Sequence, residues 1–109
     1  MIRGGIYAVD FGAAKRGHEQ RGKRYGIVMS PSRSLLSVVT IIPTSTAAQP
    51  ALQRPEIEFD GRKTRVLVDQ IRSIDVTYIG EFHGLVSRIE MLEIEMALAQ
   101  YLGLVPLPE

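Results

Sequence analysis

Leu35-Leu36-Ser37-Val38-Val39-Thr40-Ile41-Ile42 is the longest β-branched run of the chain, and it stops at Pro43. Val38 to Ile42 offers no alternation of apolar and polar residues, so the run predicts a strand buried on both faces. Pro cannot donate to a ladder, which sets the expected end of the strand before Pro43. Just beyond it stand three hydroxyls, Thr44-Ser45-Thr46. Such groups close turn hydrogen bonds or face a ligand, and position alone does not decide between the two.

Upstream of this run, Tyr25-Gly26-Ile27-Val28-Met29 reads as a strand ended by Ser30-Pro31-Ser32, and Ile6 to Phe11 as a first strand closed by Gly12. Between the two lies Gly17-His18-Glu19-Gln20-Arg21-Gly22-Lys23-Arg24. Glycine tolerates backbone conformations that a Cβ forbids, so this loop can bring amides and basic side chains close to an anion. The distribution of charge agrees. The chain carries a net +1, yet residues 1–33 sum to +5 (Arg3, Lys15, Arg16, Arg21, Lys23, Arg24 and Arg33 against Asp10 and Glu19) and the remainder to −4. A local basic field of that kind attracts a polyanion even on a nearly neutral protein.

Downstream, Glu56 to Asp60 alternates as a half-solvated strand, and Gly61-Arg62-Lys63 reads as a turn. Val66 to Asp75 predicts one further strand, with Arg72 pairing Asp69 or Asp75, and Val76 to Phe82 a last one ending at His83-Gly84. Ser87-Arg88-Ile89-Glu90 has capping-box spacing, so a helix starts there and runs to about Leu102, where Gly103 supplies the C-terminal cap. The helix is apolar over more than one stripe, so it is expected either to be wedged into the core or to be shared with a second chain. Strands followed by one terminal helix make a small barrel-like α+β domain.

The totals exclude several classes. With 109 residues, 45% of them hydrophobic and 23% charged, the chain is expected to form one globular domain. It has no cysteine, which excludes disulfides and thiolate metal sites. No apolar run approaches the roughly 20 residues that span a bilayer, and Met1 to Gly5 lacks the apolar segment of a signal peptide, so no membrane association and a cytoplasmic location are expected.

Five pieces in order, Gly5-Ile6-Tyr7-Ala8-Val9-Asp10, Gly17-x-Glu19-Gln20-x-Gly22-x-Arg24, Ile42-Pro43-Thr44-Ser45, Gln70 to Asp75, and Ala97-Leu98 to Leu102-Gly103-Leu104, resemble the MazF/PemK toxins over nearly the whole chain, residues 1–109. The resemblance implies an SH3-like β-barrel with a C-terminal helix (the CcdB/MazF/PemK-like fold) and a homodimer. It implies a sequence-specific endoribonuclease that cuts single-stranded RNA without metal or other cofactor and is neutralised by a cognate antitoxin. It assigns catalysis to Arg24 and Thr44. Glu19 and Gln20 fall near the substrate, and Gln70 and Ser45 on positions suited to base contacts. Arg21 and Lys23 are further basic groups of the loop expected to meet RNA. Family members commonly carry Pro directly after the active-site Arg, where this chain has Tyr25.

Such a site has to remove the 2′-OH proton, stabilise charge on the attacked phosphate and protonate the leaving 5′ oxygen. Arg24 suits the second task, because a guanidinium offers several donors in a fixed fork and stays charged. Arg is a poor acid and Thr a poor base, so His18 or Glu19 are the candidates for proton transfer. Tyr25 or Phe82 can stack bases. Two other readings stay open: a toxin of the same fold that binds topoisomerase through the terminal helix and cuts nothing, and a non-catalytic RNA-binding barrel.

Overall fold

The computed structural model describes residues 1–12, 22–31, 37–51 and 53–107. Its strands are β1 (Gly5–Asp10), β2 (Lys23–Val28), β3 (Val38–Ser45), β4 (Glu56–Phe59), β5 (Arg62–Val66), β6 (Arg72–Asp75) and β7 (Ile79–Leu85), followed by helix α1 (Arg88–Tyr101). All pairings are antiparallel, in the order β4-β5-β3-β2-β1-β7, with β6 also on β3. The fold is α+β. The sheet curls into a half-barrel in which, among the described residues, β4, β6 and β7 each pair with one strand only.

β3 is the central strand; from Ile41 to Thr44 it is covered on both faces, as its sequence predicts, whereas at its start Val38 is exposed and Thr40 half-buried. Ile41 packs with Tyr7, Val9 and Val28 on one side. Ile42 packs with Ile27, Ile57 and Val66 on the other, under Ile94 and Ala97 of α1. The strand does not stop at Pro43. It continues to Ser45, because one edge of β3 is shared: β6 pairs with Val38–Ile41 and β5 with Thr44 and Ser45. Pro43 sits at the handover, where its carbonyl accepts from Leu67 N at 2.9 Å and a missing N–H interrupts no ladder.

The same sharing breaks the single strand expected over Val66 to Asp75. A chain that pairs with both ends of one edge has to step between them, and it does so through a 3-10 turn at Val68–Gln70. The expected pairing of Arg72 is also different. Asp69 accepts from Arg54 Nε at 3.0 Å and Nη2 at 2.8 Å, and Asp75 accepts from Thr77 N at 2.9 Å. Arg72 instead lies over the Phe11 ring, 5.4 Å from its centroid. Residues 76–78 form another 3-10 turn, so the last strand starts at Ile79 and runs past His83-Gly84 to Leu85. The turn between β4 and β5 is Asp60-Gly61 alone, both at positive φ, and Arg62 and Lys63 already belong to β5.

The helix ends are as read from sequence. Ser87 Oγ accepts from Glu90 N at 3.1 Å while Glu90 Oε1 accepts from Ser87 N at 2.8 Å. Glu90 Oε2 also accepts from Glu58 N at 2.8 Å, which satisfies a donor on the β4 edge and fixes the helix start against it. Gly103, at φ 73°, donates to Gln100 O, and Leu104 to Ala99 O, the paired bonds of a Schellman cap. Only part of the apolar surface of α1 is used within the chain. Ile94 and Ala97 are buried, whereas Ile89, Leu92 and Met96 are 70%, 58% and 54% exposed.

Candidate active site

The register of two strands brings the predicted pair together. Gly26 lies opposite Pro43, so Tyr25 and Thr44 follow side by side, and Thr44 Oγ1 donates to the Tyr25 carbonyl at 3.2 Å. Thr44, 5% exposed, is thereby fixed to β2 at the residue next to Arg24. Both Arg24 and Thr44 line a cavity of about 760 Å³, a size suited to a small organic ligand.

The cavity is the core continued outward. Side chains on a strand return to the same face every second residue. Ala8, Tyr25, Thr44, Phe59 and Thr64 line it, and each stands two positions along its strand from a core residue: Ile6, Ile27, Ile42, Ile57 and Val66. Where those strands run beyond the apolar core, the same face carries hydroxyls and rings instead of aliphatic groups.

Charge in the cavity is uneven. Lys23, Arg24 and Arg62 line it against a single carboxylate, Asp60, among the described residues. Ser45, Thr46 and Thr64 add hydroxyls to that of Thr44, with Ser45 Oγ accepting from Ala47 N at 3.2 Å. One wall is aromatic. The Tyr25 and Phe59 rings meet edge to face at 5.0 Å, and His83 of β7 lies 4.9 Å from Tyr25. Behind the Thr46-Ala47 wall, the Arg54–Asp69 fork and the bond from Arg65 Nη1 to Arg54 O at 3.0 Å fasten the following loop. The Arg54 guanidinium, hydrogen-bonded to Asp69, holds that carboxyl below its ordinary range, and partial burial opposes the shift.

Of the residues singled out from sequence, Arg24, Thr44, Lys23 and Ser45 line this cavity. Gln70 does not line it; it closes the 3-10 turn at Val68–Gln70 and is half-buried there. Glu19, Gln20 and Arg21, with His18, lie outside the described residues. The described ends of their loop are held together by Phe11 N to Gly22 O at 2.9 Å, with Gly22 at φ 73°. Sequence reasoning missed Phe59, Asp60, Arg62, Thr64 and His83. A turn was expected at Gly61-Arg62-Lys63, with Asp60 still in the strand before it, and only the β3–β5 pairing, which sets Thr44 opposite Val66, brings Asp60, Arg62 and Thr64 to the cavity. Phe82, a candidate stacking ring, packs on Tyr7 at 5.4 Å instead. Among the described residues no three His, Asp or Glu side chains are placed to hold a metal ion.

The family model for the PemK-like, MazF-like toxin of type II toxin-antitoxin systems matches residues 2–102. The chain belongs to the PemK/MazF toxin family. A relative from Mycobacterium tuberculosis, named Putative toxin Rv3098A, is 57% identical over 105 residues, covering 95% of this chain and 99% of the relative. Solved structures share the PemK/MazF fold. A mycobacterial endoribonuclease in complex with its cognate antitoxin superposes with a TM-score of 0.81 at 22% identity, covering 99% of each chain. MazF from Deinococcus radiodurans gives 0.79 at 24% identity, covering 94% of this chain and 96% of MazF. The α+β half-barrel with its terminal helix is therefore the architecture of MazF.

Proposed function

We propose that this PemK/MazF-family chain is a sequence-specific endoribonuclease that cuts single-stranded RNA without a metal ion. The observation that carries the reading is the convergence of Arg24 and Thr44 on one cation-rich cavity. Arg24 donates to the phosphate oxygens and stabilises the charge that grows on them during attack. Thr44 already donates its hydroxyl hydrogen to Tyr25 O, which leaves its oxygen lone pairs to accept from the ribose 2′-OH. That contact orients the 2′ oxygen toward the adjacent phosphorus. Attack forms the 2′-O–P bond and breaks the P–O5′ bond, giving a 2′,3′-cyclic phosphate and a 5′-OH. Proton transfer falls to His18 or Glu19 of the loop, or to Asp60, the carboxylate at the cavity. Lys23 and Ser45, with Glu19, Gln20, Arg21 and Gln70, bind the strand on either side.

The same reading includes a homodimer, built on the exposed Ile89, Leu92 and Met96 face of α1, and a cognate antitoxin that occupies the RNA cavity. The structural neighbour solved with its antitoxin supports that partner. No described helix is long and apolar enough to cross a membrane, and we place the pair in the cytoplasm.

The test is a long mixed-sequence RNA incubated with purified protein in EDTA, followed by mapping of cut sites and end groups. Cuts at a recurrent sequence, with cyclic phosphate and 5′-OH ends, are expected, and Arg24→Ala should lower the rate at least about 100-fold, as loss of a transition-state donor does. RNA left intact by the parent protein, or cut as fast by the variant, overturns the proposal.

A further inference from the structure

Two edge strands of an open sheet ordinarily end in solvent, or are covered by charged side chains. Here two of the three edge strands, β4 and β7, meet through rings. Phe59 at the end of β4 and His83 in β7 have centroids 6.4 Å apart at an interplanar angle of 89°. Tyr25 of β2 contacts both, at 5.0 Å and 70° to Phe59 and at 4.9 Å and 79° to His83. Three rings at near right angles make a corner. Two of them, Tyr25 and Phe59, line the Arg24–Thr44 cavity, and Tyr25 remains 39% exposed.

We infer that this corner is a nucleobase subsite: a base of the bound RNA stacks on Tyr25 or Phe59 while the neighbouring phosphate lies at Arg24. The inference rests on the RNA reading above and adds the residues that hold a base. A single strand presents anionic phosphates alternating with flat π-surfaces, and the sites that bind it pair a cationic track with exposed rings. The cavity has both, with Lys23, Arg24 and Arg62 as cations and the rings on one wall. Perpendicular packing suits the purpose. A planar base laid on one ring meets the electropositive edge of the next, the geometry that aromatic pairs prefer. His83 does not line the cavity, so it is a positioning residue that braces Tyr25 from behind.

The test compares equilibrium binding of two 2′-O-methyl oligonucleotides with equal numbers of phosphates, one of mixed sequence and one fully abasic, by fluorescence anisotropy. Neither can be cut, so the readout is independent of catalysis. The parent protein should prefer the base-bearing strand by at least about 5-fold, the low end for one base stacked on a ring. In Tyr25→Leu and Phe59→Leu that preference should fall toward one, with the affinity for the abasic strand little changed. His83→Ala should lower the preference and His83→Phe should restore it, a rescue that loss of a charge or of stability does not produce. Phe59 also packs against the core; if Phe59→Leu fails to fold, Tyr25→Leu decides alone. An unchanged preference in Tyr25→Leu overturns the subsite, as does a Tyr25→Leu defect seen only with an antitoxin. A parent protein that cuts no RNA yet keeps the base preference overturns the nuclease reading and leaves the corner standing.

Discussion

Thr44 can be split into two halves that do different work, and two substitutions separate them. Thr44→Val removes the hydroxyl and keeps the branched shape; Thr44→Ser removes the methyl and keeps the hydroxyl. At 5% exposure the methyl is buried, so its loss should destabilise the Ser variant by about 1 kcal/mol, as removal of one buried carbon commonly does. For a chain of 109 residues that lowers the melting temperature by about 4 °C. The Val variant loses one neutral hydrogen bond, 3.2 Å to Tyr25 O, and buries an extra methyl, so its stability should change by no more than about 1 kcal/mol. Activity should run the other way. If the hydroxyl orients the 2′-OH, Thr44→Val should lower the cleavage rate by about 100-fold, while Thr44→Ser keeps most of it. The assay is single-turnover cleavage of one short RNA, with thermal melts on the same preparations. Near-parent cleavage by Thr44→Val refutes the role; equal losses by both variants show that the site responds to packing and not to the hydroxyl.

Asp69→Asn should destabilise the fold by about 1–2 kcal/mol at pH 7, because the Arg54 fork loses its charged acceptor in a partly exposed setting. The folded-state pKa of Asp69 is depressed, so its contribution is present above the ordinary carboxylate value near ~3.9 and lost as pH falls through the folded value. Urea titrations should therefore show the gap between parent and variant closing below about pH 4, and a gap constant from pH 7 to 3 argues against the pair. Leu92→Glu places a charge in the exposed apolar face of α1, and sedimentation should shift from dimer to monomer with the helix content retained. An unchanged assembly state removes that face from the proposed dimer.

The sequence was legible where a local cause fixes the structure. Ser87 and Glu90 mark one helix end and Gly103 the other because caps are made by neighbours in the chain. The double-sided burial expected of β3 was legible only in part: Ile41 and Ile42 are buried on opposite faces, whereas Val38 is exposed and Thr40 half-buried at the end of the strand that pairs with β6. What could not be read depends on which strands share an edge. Nothing local in Val66 to Asp75 announces a break; the 3-10 turn exists because β5 and β6 occupy successive stretches of β3. Pro43 misled for the same reason, because its missing donor matters only if a partner faces it. Asp69 found Arg54 and not Arg72, since the loop before β4 folds back over the 3-10 turn.

The site was half legible, and the division has a physical basis. Arg24 and Thr44 were singled out through resemblance and both line the cavity, but the basic loop pointed to residues 17–24, whereas the described cavity is lined mainly by strand residues. Ile27 and Ile42 are completely buried, and each stands two residues from Tyr25 or Thr44 on the same face. The backbone that carries ring and hydroxyl is therefore anchored by close-packed isoleucines. Close-packed interiors resist displacement. That is the support a catalytic geometry needs, since a site on rigid elements holds its groups more tightly than one on a loop. Phe11 and Gly22, bonded to each other, close the adjoining ends of β1 and β2. In the proposed reading the strands carry the centre at Arg24 and Thr44, and the ring corner positions the base beside it.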